Sequence, residues 1–414
     1  LPMKNTRDRA TAMMPALLAE RMEELGLDFC VMYPTGGFAT AMQNDDEVRK
    51  AACRAFNIFS AEYFADFSDR MTPVAVIPMH TPDEAIEEIT YIRESLGLKA
   101  CLFGGMVPRS VPAAKEGDPK AHRLGSVTYD VFGIDSPYDY DPVWAACLEY
   151  GVSPTFHSGG RGYALRRSPT NFTYNHIGHF ASTGEAICKA MFLGGVTRRF
   201  PQLRMGFLEG GTAWACQLYA DLIEHWEKRN RTALEYNDPA NLDHDLMIDL
   251  ASEFGPNGMA DMMTDRDHAL FAALNTAAST NDGGQLELDD YAPCEIEKEE
   301  DIADLFVPNF YFGCEADDRL NATAFNTEVN PMGARINALF SSDIGHFDVI
   351  HMNQVLPHAW ELVEDGVMNL DEFREFTFAN PARFWTANDP NFFAGTKVEA
   401  EVAEFFHQGS ASSA

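Results

Sequence analysis

His157, Glu209 and Asp343 each follow a short apolar run, in Pro154-Thr155-Phe156-His157, Met205-Gly206-Phe207-Leu208-Glu209 and Leu339-Phe340-Ser341-Ser342-Asp343. An imidazole and a carboxylate brought to one place make a minimal site for Zn, Mn or Fe, and such an ion lowers the pKa of bound water toward neutrality and polarises a substrate oxygen. A lone strand-end histidine is as often a hydrogen-bonded structural residue. What favours the metal reading is Asp343, placed equivalently at another strand end with His346 and Asp348 just beyond it. Ser158-Gly159-Gly160 after His157 leaves backbone space for a ligand. Glu209 can ligate an ion, orient a water or accept a proton, and a hydrogen bond to the backbone of the following turn is the equal alternative. Two protein ligands rarely suffice for a catalytic ion, so the set His157 and Asp343 is one or two short.

His176 and His179 stand three apart in Asn175-His176-Ile177-Gly178-His179. In the first turn of a helix the two would share a face, and either could act as acid or base, although a surface position is expected for at least one. Arg161, Arg166 and Arg167 follow His157 and could clamp a substrate carboxylate; solvated charge or pairing with the surplus acids is the ordinary reading. Gly104-Gly105, Gly194-Gly195 and Gly210-Gly211 lack the following Lys-Ser/Thr of a phosphate cradle.

The elements that must position these groups are seven apolar runs separated by helix-length stretches. They begin at Asp28–Pro34, Pro73–His80 and Ala100–Gly105, continue at Pro154–Gly160, Leu203–Gly211 and Asn309–Glu315, and finish with the run into Asp343. That rhythm predicts consecutive βα units of a parallel (β/α)8 TIM barrel, in which chemistry gathers at the carboxyl ends of the strands. A closed barrel needs eight strands, so the first is expected before Leu1 or supplied otherwise. A single barrel domain is expected over 1–390, with a polar, acid-rich excursion at 230–305 and a C-terminal tail at 391–414. Residues 106–140 hold no sustained period and read as a long loop on the strand-exit side.

Leu203 to Trp214 (LRMGFLEGGTAW), Gly194 to Pro201 (GGVTRRFP), Ser342 to Asp348 (SDIGHFD) and Asn380 to Phe384 (NPARF) together resemble the amidohydrolase-2 family of metal-dependent TIM-barrel hydrolases and decarboxylases. The resemblance covers most of residues 10 to 390 and is poorest in 230 to 305. It implies that His157 corresponds to the fifth-strand metal ligand and Asp343 to the eighth-strand aspartate, and it points to His179 rather than His176. Glu209 stands where other members of the superfamily have a histidine. The first-strand His-x-His or His-x-Glu pair of that family has no match here: the segment precedes Leu1, another chain provides it, or the metal is absent.

The expected function is therefore a metal-dependent hydrolase of a small organic molecule, cleaving an amide, lactone or related C–N or C–O bond through metal-activated water. Zn is the first choice of ion, with Mn or Fe as alternatives. Asp343, His179 and Glu209 are the expected catalytic groups, with Arg161, His346 and His176 as candidate substrate contacts. Non-oxidative decarboxylation of a small aromatic acid is the alternative, and a metal-free binding or scaffolding barrel is a second.

The 414 residues carry 63 acidic against 31 basic side chains, a formal charge of -32. Nucleic-acid binding wants clustered Lys and Arg, so that class is disfavoured. No apolar run approaches the roughly 18 residues of a membrane helix. The eight cysteines contain no C-x-x-C pair and several fall within apolar patterns, which suits reduced core residues of a cytoplasmic enzyme. A homodimer is the expected assembly.

Overall fold

A computed structural model describes residues 4–110, 127–157, 168, 170–238, 241–264, 279–280, 286–287 and 289–411. The chain divides into two compact units, one formed by Leu1–Tyr219 with Ala303–Ala414, the other by Ala220–Ile302.

The strands of the first unit are β1 (Cys30–Met32), β2 (Met71–Val76), β3 (Ala100–Leu102), β4 (Val107–Ser110), β5 (Val127–Asp130), β6 (Pro154–Phe156) and β7 (Met205–Phe207). The second unit holds the short pair β8 (Ser279–Thr280) and β9 (Leu286–Glu287), and the first resumes with β10 (Phe310–Glu315) and β11 (Asn337–Ser341). Seven of them form one parallel sheet in the order β1-β2-β3-β6-β7-β10-β11. These are the seven expected units, and the sheet curls with helices between successive strands as a (β/α)8-type barrel wall.

Every residue of β2, β3, β6 and β7 is buried, as a parallel sheet covered on both faces requires. Register places Phe156 beside Phe207 and Phe207 beside Phe312. Their rings stack at 5.3 and 6.0 Å, and Trp144 and Trp214 close over them from the neighbouring helices. Each fully buried ring contributes about 1.5–3 kcal/mol through the apolar surface it hides. One register step away Thr155, Gly206 and Tyr311 face the other side. There Phe384 fills the space over Gly206, so closely that a Cβ would meet its ring at 2.9 Å.

The helices follow their sequence signals. Pro15–Leu25 ends at Gly26, whose φ of 70° gives the left-handed cap. Pro82–Tyr91 opens with a Thr81/Glu84 capping box. No helix among the described residues is long and apolar enough to cross a membrane.

Two expectations are corrected. The stretch 106–140 is not loop throughout: β4 and β5 pair antiparallel within it, and Arg109 Nη2 binds Asp130 Oδ2 at 2.7 Å. The same Arg109 donates to the His80 carbonyl at 2.7 Å and to Tyr140 Oη at 2.9 Å, so this ribbon is tied to the exit of β2. The expected tail contains the helix Glu399–Ala411, and Phe392, Phe393 and Val402 are buried in the same cluster as Phe384 and Trp385. Apolar anchors hold a segment whose final residues are small and polar.

Among its described residues the second unit is mostly helical and includes the helix His244–Phe254, capped by Asp243. Tyr291 Oη donates to the Leu222 carbonyl at 2.7 Å and Arg229 pairs with Asp290 at 2.7 Å, which fastens the unit's ends together.

Candidate active site

Four neighbouring strands each deliver one polar group at the carboxyl end of the sheet. His157 follows β6, Glu209 lies two residues past β7, Glu315 ends β10, and Asp343 lies two residues past β11. The chain must turn sharply after β7 and β11 to enter the next segment, and Glu209 (φ 61°) and Asp343 (φ 47°) make those turns in the left-handed region. Non-glycine residues held there cost energy and cluster at functional sites.

His157 Nε2 stands 2.7 Å from Glu209 Oε2. The ring is held edge-on by Phe38 at 4.8 Å and Phe180 at 5.0 Å, while its backbone N–H donates to the Gly104 carbonyl at 3.2 Å. The other Glu209 oxygen, Oε1, lies 3.7 Å from His346 Nδ1, and that nitrogen is 3.2 Å from Asp343 Oδ2 and 3.5 Å from Asp348 Oδ1. A continuous line of contacts thus runs from His157 through Glu209 and His346 to Asp343, and His157 and Asp343 line one cavity of about 1660 Å3.

Burial, hydrogen bonding and crowded charge together set the protonation. The His346 imidazole is raised to about 9, first by its hydrogen bond to Asp343 and then, against the burial that opposes it, by the charges of Asp343, Glu209 and Asp348. The Asp343 carboxyl is raised to about 6 by loss of water, with Glu209 and Asp348 adding to the rise and His346 opposing it. Glu315 is raised to about 7 by desolvation and then by Asp343, Asp348, Glu209 and Asp317.

The donor set fits a divalent cation. Glu209 Oε1, Asp343 Oδ2 and His346 Nδ1 are all buried, and the 3.2 Å contact between the last two is the one polar contact below 3.5 Å that any of the three makes among the described residues; ligand atoms of these three residues lie within 4.8 Å of one another. Two carboxylates and an imidazole suit Zn, Mn or Fe. The sequence-expected ligand His157 stands beside this group through its contact with Glu209.

His179 opens the helix His179–Leu193, is 2% exposed and lines the same cavity. His176 is half-buried outside it, stacked on Phe172 at 5.1 Å and 5.4 Å from Phe347. Arg161, Arg166 and Arg167 lie outside the described residues. Glu315 is a site residue that the sequence reading passes over, although the signal that found Glu209, a carboxylate closing an apolar run, was there to be used.

Comparisons with known proteins agree with this architecture. No curated protein matches the sequence at a significant level. Among solved structures, an amidohydrolase from Mycobacterium avium subsp. paratuberculosis K-10 superposes with a TM-score of 0.52 at 18% identity, covering 90% of this chain and 73% of that one. A dihydroxybenzoic acid decarboxylase from Polaromonas sp. JS666, with bound manganese and the inhibitor 2-nitroresorcinol, gives 0.50 at 15% identity, with 91% and 87% covered. A 2,6-dihydroxybenzoate decarboxylase in complex with 2,6-dihydroxybenzoate gives 0.50 at 15% identity, with 89% and 86% covered. At these identities the likeness shows a shared fold. The family model described as amidohydrolase (Amidohydro_2) matches residues 15–257, more than half of the 414, and the protein belongs to that family of metal-dependent enzymes.

Proposed function

We propose that the protein is a metal-dependent hydrolase of a small organic substrate, acting on an amide, lactone or related C–N or C–O bond. The observation that carries this reading is the charge of the mouth. Glu209, Glu315, Asp343 and Asp348 converge there, and among the described residues no Lys or Arg forms an ion pair with any of them. Such a mouth attracts a cation and offers bases for water, while a substrate carboxylate finds repulsion there.

A divalent cation bound by Glu209, Asp343 and His346 supplies Lewis acidity and lowers the pKa of water at the site. Asp343 takes the proton from the attacking water and returns it to the leaving group. Glu209 fixes the His157 ring through the 2.7 Å contact, and Phe38 and Phe180 keep that ring from turning. His179, buried in the cavity wall, faces the region where charge develops.

Decarboxylation of a small aromatic acid is the second reading. It is favoured by the aromatic wall, in which Phe38, Phe180 and Tyr33 surround His157 and offer faces and edges to a flat ring. Two of the solved structures similar in fold are dihydroxybenzoate decarboxylases by their descriptions. Turnover in 18O-labelled water separates the two: label in the product acid supports hydrolysis, and released carbon dioxide with no label incorporated discards it. Candidate amides, lactones and hydroxybenzoates, presented to the protein loaded with Zn2+ or Mn2+, form the substrate set.

A further inference from the structure

We propose that a second cavity, at the opposite end of the sheet from the mouth, binds the anion of a small organic acid, with Arg204 holding the carboxylate and the Tyr311 hydroxyl completing its hydrogen bonds. The site stands apart from the metal centre and does not depend on the reaction performed there.

Strand register builds the site. Arg204 immediately precedes β7, and Tyr311, the second residue of β10, is paired with Gly206 on one side and with Asn337, the first residue of β11, on the other. The three gather where these strands begin, whereas Glu209, Glu315 and Asp343 stand where they end. Four residue steps of β10 separate Tyr311 from Glu315, about 13 Å at the usual strand rise. A cavity of about 440 Å3 opens at the beginning of the strands, lined by Arg204, Tyr311 and Asn337 and walled by Val307, Pro308 and Met332. That is the size of a pocket for a small organic molecule.

Arg204 calls for an anion. Its side chain is half-buried, and Nη1 donates to the carbonyls of Pro201 at 2.8 Å and Leu203 at 3.3 Å, yet among the described residues no carboxylate forms an ion pair with it. Arg21, Arg49 and Arg109, likewise withdrawn from water, each hold a carboxylate. Partners are not scarce, since acidic side chains outnumber basic ones 63 to 31. Burial draws the guanidinium below its usual value, but an arginine keeps its charge at neutral pH, and a charge withdrawn from water without a counter-ion is costly.

Tyr311 points the same way independently. It is 5% exposed, and among the described residues its hydroxyl makes no hydrogen bond. The three other buried tyrosines all donate to carbonyls, Tyr140 to Met79 at 2.6 Å, Tyr291 to Leu222 at 2.7 Å and Tyr219 to Pro331 at 3.4 Å. A buried phenol that lines a cavity and lacks such a partner is placed to donate to a ligand.

The donors select the class of ligand. The Asn337 amide is spent on the carbonyls of Val307 and Phe310, so it shapes the wall. One guanidinium and one hydroxyl serve the two oxygens of a carboxylate, and the apolar walls suit its hydrocarbon body. Asp304, which also lines the cavity and is exposed, repels a second negative charge and so disfavours a phosphate dianion.

The test uses the full chain, as purified and again after treatment with chelator, and measures binding of benzoate and of inorganic phosphate by isothermal titration calorimetry. One benzoate per chain is expected, with the same affinity before and after chelation. Arg204→Met should weaken binding about 10–100-fold and Tyr311→Phe about 2–10-fold, the ranges for losing a charged and a neutral hydrogen bond. Asp304→Asn should tighten it severalfold by removing the like charge, a gain that a damaged fold cannot produce. No bound benzoate overturns the proposal, and so does an affinity unchanged in all three variants. Binding lost on chelation belongs to the metal centre and overturns it as well, while phosphate bound in preference to benzoate overturns the carboxylate class.

Discussion

His157 and Glu209 meet at 2.7 Å, Nε2 to Oε2, across the exits of adjacent strands β6 and β7. One carboxylate thereby does two things: Oε2 fixes the orientation of the imidazole, and Oε1 is left facing His346 and Asp343. A neutral amide in its place keeps the volume but loses the charge and presents an N–H to one side. Glu209→Gln is therefore expected to weaken divalent-metal binding by about 10–100-fold, the range seen when groups that orient or support metal ligands are altered. Competition with a chromophoric chelator measures it, and unchanged affinity would exclude Glu209 from the centre.

Asp343 combines a left-handed backbone with its place beside Glu209 and His346 in the ligand group, and the two properties can be separated by substitution. Asparagine tolerates φ near 47° and is nearly the same size, so Asp343→Asn should keep its thermal midpoint while losing bound metal and turnover. Asp343→Val adds the strain of a β-branched side chain at positive φ, about 1–2 kcal/mol. Thermal unfolding of the two variants beside the unaltered protein should show valine alone shifting the midpoint downward.

The strands and their strand-end groups were legible because a parallel sheet buried on both faces writes itself as short apolar runs, and polar residues closing such runs are conspicuous. His157, Glu209 and Asp343 can be read that way, and so can Glu315 at the end of β10. The β4–β5 ribbon was not legible: Val107-Pro108-Arg109-Ser110 and Val127-Thr128-Tyr129-Asp130 lack alternation, and what joins them is pairing across some twenty residues together with the Arg109–Asp130 bond. The C-terminal helix is hidden in the sequence by its small, polar final residues, and Phe392, Phe393 and Val402 supply the burial that holds the segment. The contact of His157 with Glu209 joins residues 52 positions apart, and no local pattern announces it.

Arg49 and Glu84 form an ion pair whose side chains are only 1% and 4% exposed, at 2.8 Å, between the helices that flank β2. Removing one member strands the other charge without water. Arg49→Ala is expected to destabilise the protein by about 3–5 kcal/mol, whereas removing both charges while keeping the capping oxygen, Arg49→Met with Glu84→Gln, should recover part of that loss. Urea unfolding of the single and double variants checks it, and equal loss in both would show that the pair matters for packing rather than for charge.

His80 provides a pH signature away from the metal ligands. Its side chain is 14% exposed at the exit of β2, and its imidazole is lowered to about 4, first by burial and then by the neighbouring charges of Arg49 and Arg109, which outweigh Glu84 and Asp46. The unfolded chain takes up this proton near the usual value of 6.5, and the folded chain resists it until about pH 4. Above 6.5 both states are neutral at this position and it contributes nothing to the pH dependence. As pH falls between 6.5 and 4 the unfolded state binds the proton first, so stability is lost, by about 2 kcal/mol at pH 5 from this group. In His80→Gln that component is gone, while the main-chain N–H of residue 80 still reaches the Glu84 carboxylate. Unfolding free energies measured at pH 8 and pH 5 should therefore fall by about 2 kcal/mol less in the variant than in the unaltered protein. Parallel losses in the two proteins would mean that the folded state accepts the His80 proton without penalty.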